Sequence, residues 1–296
     1  MSLAGDYTFS FTKGKVTGLT IGGVAITDYT QNGTTITIPN ATVKALSLGE
    51  QTAIIKTASA NYTTTVTVAT LIISDKTELN KFNSVTSGYY LMDANVTYDG
   101  TWISKVGYFW NGTSFSGTFD GRGHSISGMT MKTEAWGQSS GGFIGAMSAT
   151  GVLKNVAFIN CGVRDMSSNG GSPILCVGEN NGTIENVYVQ TDISKLPTNT
   201  NILARNEQGT VKNCFVYITG TDENKTLEMV RAKHTASNVY AIGQIEKKND
   251  NEVVYADVNA WKTANADGTL TENYDTTIWD LSGDYPKFYD KSANQQ

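Results

Sequence analysis

The chain has 296 residues, enough for about two domains. Only 17% of them are charged, with a net charge of −5 and a pI near 5.1. Clustered Lys and Arg are absent, which excludes nucleic acid as a partner, and no apolar run approaches the ~20 residues of a membrane span.

Thr, Asn, Gly and Ser are abundant, a balance that suits strands and tight turns. Cys161, Cys176 and Cys214 are too far apart for a disulfide framework or a zinc site and read as small apolar residues. No cofactor is expected. Met1, Ser2 and Leu3 before strand-like sequence read as a cloning remnant on an excised piece. The missing leader therefore leaves the location open.

Residues 4–71 carry short β-branched runs broken by Gly, Asn and Asp, the pattern of a small β-sandwich. Strands are predicted over 15–21, 34–38, 51–57 and 62–68. In the last, Tyr62, Thr64, Val66 and Val68 share one face. Asp28-Tyr29-Thr30, the run from Gly33 to Ile38 and Leu46 to Gly49 resemble the immunoglobulin-like modules of bacterial surface proteins and cellulosome scaffoldins.

Residues 72–290 are expected to form a parallel β-helix behind a capping helix. Asp75 followed by Glu78 fits a capping box, and Leu79 with Phe82 gives an apolar stripe. Such a helix would cover the exposed end of a solenoid. Three segments then align, beginning at Gly151, Gly182 and Gly209, with turn asparagines at Asn155, Asn186 and Asn213 spaced 31 and 27 residues apart. Their columns read as inward (Leu153, Ile184, Val211; Val156, Val187, Cys214; Phe158, Val189, Val216) and outward (Lys154, Glu185, Lys212). Asn is expected at the bend because it tolerates left-handed backbone angles and can bond the next Asn. The glycines are expected to serve the opposite corner by the same conformational freedom.

The run from Phe115 to Met131, then Gly142 to Gly145, then these turns, resembles the GLUG-repeat β-helix of bacterial secreted and surface proteins. The closing stretch from Trp279 to Phe288 resembles that family's terminal coil. The resemblance implies a right-handed parallel β-helix in an extracellular or cell-surface setting, and no activity.

Asp120 and His124, four apart among glycines, suggest an acid/base pair or metal ligands on first sight. Their tight corner favours local backbone bonding instead. Polysaccharide lyases and glycosidases need converging acids. The outward acids here are single, and Asp250 with Glu252 reads as part of a solvated turn. Trp102, Trp110 and Trp136 are candidate sugar-stacking residues, against the alternative that they cover the helix end. Trp261 and Trp279, with Tyr285 and Phe288, are expected to seal the C-terminal end. The functional expectation is a non-catalytic module for adhesion or for display of a glycan- or protein-binding surface. A polysaccharide-acting enzyme and a purely structural stalk are the alternatives.

Overall fold

The computed structural model describes residues 1–107, 112–132, 141–164, 173–205, 208–231, 235–246 and 251–289. The fold is all-β with short helices. It divides into two compact units: Met1–Ile72 with Gly88–Leu91, and Ile73–Ser87 with Met92–Gln296.

The first unit contains β1 (Tyr7–Ser10), β2 (Val16–Ile21), β3 (Val24–Ile26), β4 (Thr30–Asn32), β5 (Thr35–Ile38), α1 (Asn40–Lys44), β6 (Gly49–Thr57) and β7 (Asn61–Val68). They form two antiparallel sheets, in order β1-β5-β4 and β3-β2-β6-β7. Alternation places Leu19 and Ile21 of one sheet and Ile36 and Ile38 of the other in a common core. Gly22 and Gly23, both at positive φ, make the two-residue hairpin between β2 and β3, a turn that residues other than Gly, Asn and Asp would strain. The four predicted strands are present as β2, β5, β6 and β7. The short β1, β3, β4 and α1 carry too little periodicity to be read from sequence.

β8 (Leu71–Ile73) follows, then α2 (Lys76–Phe82). Asp75 caps α2 by accepting the Glu78 amide at 2.8 Å. Leu79 and Phe82 are fully buried, and Phe82 packs against Phe115, Phe119 and Phe143. The predicted capping helix thus plugs the interior with an aromatic cluster.

After β9 (Tyr89–Met92) the solenoid is built from β10 (Val96–Trp102), β11 (Thr118–Met131), β12 (Ile144–Met147), β13 (Val152–Ile159), β14 (Gly162–Val163), β15 (Val177–Asn180), β16 (Thr183–Asp192), β17 (Thr200–Ala204), β18 (Thr210–Thr219), β19 (Leu227–Val230), β20 (Thr235–Ile242) and β21 (Glu252–Tyr255). β10, β11, β13, β16, β18, β20 and β21 pair in parallel in that order. A second parallel sheet runs β12-β15-β17-β19. Each sequence repeat therefore supplies one strand to each sheet.

The inward columns are as read. Leu153, Ile184 and Val211 are in register and fully buried, as are Phe158, Val189 and Val216. Cys214 is buried in register with Val239, a valine slot. The chain closes with α3 (Val258–Ala264), capped by Asp257, and the short antiparallel pair β22 (Trp279–Asp280) and β23 (Lys287–Phe288).

Candidate functional site

The repeat residues form a polar seam. Asn155, Asn186 and Asn213 all adopt positive φ, and so does Asn238 of β20. Asn155 donates to the Asp120 carboxylate at 2.9 Å, Asn186 to Asn155 at 3.0 Å, and Asn238 to Asn213 at 2.9 Å. The side-chain oxygen of Asn186 accepts from the Trp279 indole at 3.4 Å. Asn238 extends the repeat by one rung that sequence reading missed. Its signal was Ser237-Asn238-Val239-Tyr240, with no glycine at the head of the copy.

Gly151, Gly182 and Gly209 sit at the opposite corner, but none has positive φ. The expected conformational reason gives way to close approach. A Cβ on Gly182 would lie 2.2 Å from the Gly151 carbonyl oxygen, and one on Gly151 would lie 2.4 Å from that of Phe115. Stacked backbones at this corner leave no room for a side chain.

Asp120 is buried. It accepts the Arg122 amide at 2.9 Å as well as Asn155, and lies 3.5 Å from the Lys154 ammonium. It starts the asparagine seam, as a structural residue would. His124 is buried in register with Val156. On the outer face Lys212 pairs with Glu185 at 3.0 Å. Glu252, expected in a solvated turn, is instead buried at the head of β21; Asp250 lies outside the described residues. Burial pushes the thiols of Cys161 and Cys214 up to about 12, and that of Cys176 well above its ordinary value. These thiols are inert in the native state.

Of the candidate sugar-stacking residues, Trp102 is fully buried. It stacks on Phe143 and donates its indole N–H to the Phe143 carbonyl at 3.0 Å. It offers no ring face to a ligand, because the aromatic cluster under α2 takes both its surface and its donor. Trp110 and Trp136 lie outside the described residues.

The C-terminal segment corrects a further expectation. Trp261, Trp279 and Phe288 do not seal the end of the helix. They pack with Ala157, Tyr188, Phe215 and Tyr240, which come from four successive strands of the main sheet. The segment therefore covers the outer flank of the sheet. Tyr274 adds polar anchorage, its hydroxyl 3.0 Å from the Cys214 carbonyl oxygen and 3.2 Å from that of Asn238. Aromatics at the position between two inward columns were the available signal, since a solvated outer face does not call for them.

Where this segment begins, it leaves a cleft of about 460 Å³ against the ends of β18 and β20. Tyr217, Thr219, Gln244, Asp257 and Asn259 are among its lining. Tyr217 is half-buried and its ring lies 4.6 Å from that of Tyr285. Gln244 is fixed by three bonds: it donates to the carbonyls of Asp222 (2.6 Å) and Lys225 (2.7 Å) and accepts the Asp222 amide (2.9 Å). Thr219 donates to the Asp192 carboxylate at 3.0 Å, and this bond contributes to holding the Asp192 carboxyl below its ordinary range, after the larger effect of Ser194. The walls are thus preorganised, and Asp257 and Asn259 stand exposed at the rim. Among the described residues lining the cleft, Asp257 is the single carboxylate. Among the described residues no group of His, Cys, Asp or Glu is placed to hold a metal, and no helix is long and apolar enough to cross a membrane.

No family model and no solved structure matches the chain. A segment of 103 residues is 33% identical to Halomucin of Haloquadratum walsbyi (strain DSM 16790 / HBSQ001). That segment is 32% of this chain and 1% of Halomucin, so the chain spans a very small part of its relative.

Proposed function

We propose that this chain is a non-catalytic module of a bacterial cell-surface or secreted protein, and that the cleft beside Tyr217 holds a glycan. In this reading the first unit is an immunoglobulin-like module and the second a right-handed β-helix of the GLUG-repeat type. Parallel crossovers are right-handed almost without exception, which supports the hand. The likeness of one segment to Halomucin supports an extracellular setting.

One observation carries the functional choice: the cleft joins an aromatic wall to fixed polar groups but holds one carboxylate among its described lining. A tyrosine ring suits the apolar face of a sugar, and rim amide and carboxylate groups suit its hydroxyls. Glycoside hydrolysis works through a pair of carboxyl groups, about 5–9.5 Å apart. The arrangement suits holding a sugar rather than cutting it.

The test is a glycan array probed with the full chain, followed by titration of any hit. Tyr217→Ala is expected to weaken binding at least tenfold, with no cleavage products from the wild type. An array without hits, affinity indifferent to Tyr217, or release of shorter saccharides would overturn the reading.

A further inference from the structure

The cleft beside Tyr217 is uneven in charge. Its walls come from three segments that meet only in the fold: residues 217–221 at the end of β18, 242–244 at the end of β20 and 256–259 leading into α3. Among the described residues of that lining Asp257 alone carries a charge, and none is a cation.

The Asp257 carboxylate is held in place. It caps α3, accepting the Ala260 amide at 2.9 Å, so one oxygen is committed to the helix end while the side chain stands exposed at the rim. The charges bonded to the back of the cleft are already occupied. Asp192 accepts the Thr219 hydroxyl at 3.0 Å and the Ser194 amide at 2.9 Å. Asp222, whose backbone holds Gln244, lies 3.5 Å from the Lys225 ammonium, which also donates to the Ile193 carbonyl at 2.9 Å. Lys225 is not part of the lining. A ligand charge in the cleft therefore meets Asp257 first. At 4 Å, two unit charges interact in water by an energy worth about fivefold in affinity.

We infer that Asp257 sets the charge class of the ligand: the cleft takes amino sugars in preference to neutral ones, and neutral ones in preference to sugars bearing a carboxylate. An ammonium pairs with Asp257 through a charge-assisted bond. A sugar acid brings a like charge to the rim and finds no cation in the described lining to offset it, which is discrimination by repulsion. This selection rests on the reading of the cleft as a sugar site.

The test uses matched sets of oligosaccharides, each set sharing one backbone in which the same hydroxymethyl carbon carries a hydroxyl, an amine or a carboxylate in turn. They are titrated into the full chain at low salt. Each step from amine to hydroxyl to carboxylate is expected to weaken binding at least threefold. Asp257→Asn keeps the cap, since asparagine caps a helix as well as aspartate does, and removes the charge; it is expected to bring the three forms within twofold of one another. Tyr217→Ala is expected to weaken all three alike. Should Asp257→Asn not fold, salt decides on the wild type, because the preference must shrink as the rim charge is screened. A carboxylate form bound as tightly as its hydroxyl counterpart, or an order that survives both Asp257→Asn and high salt, would overturn the inference and leave the sugar site standing. Sets in which no member binds would overturn the sugar site itself, and the selection with it.

Discussion

From Asp120 to Asn238 each strand of the main solenoid sheet has the next rung in register beside it, with asparagine bonds at three of the four steps of the seam and Trp279 taking the Asn186 oxygen at the fourth. In the two-sheet unit, by contrast, β7 ends its sheet over most of its eight residues. A repeating chain satisfies its own edges because each copy carries the same columns as the last. A unit without repeats has end strands that no further copy covers. Between its terminal rungs the solenoid sheet has no free strand edge, and what it offers there is shaped by turns and by the C-terminal segment.

The largest expected effect falls on that segment. Trp279→Ala should cost about 3–5 kcal/mol, because the ring is fully buried among Tyr188, Tyr274 and Phe288 and its N–H bonds Asn186. Denaturant unfolding checks this. A loss under about 1 kcal/mol would mean the flank cover is not part of the solenoid's cooperative unit.

Next comes the seam. Asn186→Leu should cost about 2–4 kcal/mol, combining a left-handed backbone at φ 50° with loss of the bonds to Asn155 and Trp279. Asn186→Gly keeps the backbone and should cost about half as much. Equal losses in the two variants would remove the backbone contribution. The smallest effect is expected at Lys212→Ala. Its pair with Glu185 is partly exposed, so the loss should stay within about 0–1 kcal/mol and shrink further in high salt.

The solenoid was legible because its physics is local and repeated. Leu153, Ile184 and Val211 occupy one slot with one kind of side chain, and the turn asparagines mark the register. Legibility failed where the slot was filled by something else. Ala236 and Asn238 continue the columns without a glycine in front, so that rung escaped notice. The corner glycines do not adopt the backbone angle expected of them, and the close approach across rungs that surrounds them leaves no trace in one strand's sequence. Burial of Trp102 depends on Phe143, 41 residues away, and the cleft beside Tyr217 depends on residues near 257 meeting those near 217 and 243. Such long-range placements have no local pattern to read.

The Trp279 contact with Asn186 joins positions 93 residues apart. A chain made from its N-terminus completes the rungs through Tyr240 before their flank cover exists. Until the residues around Trp261 and Trp279 emerge, Tyr188, Phe215 and Tyr240 form a bare aromatic stripe on a finished sheet. This is the interval in which the nascent protein is most prone to sticking, to itself or to a chaperone. Docking of the last 30 or so residues ends that interval and closes the highest-separation contacts of the fold, which makes it the expected slow step of assembly.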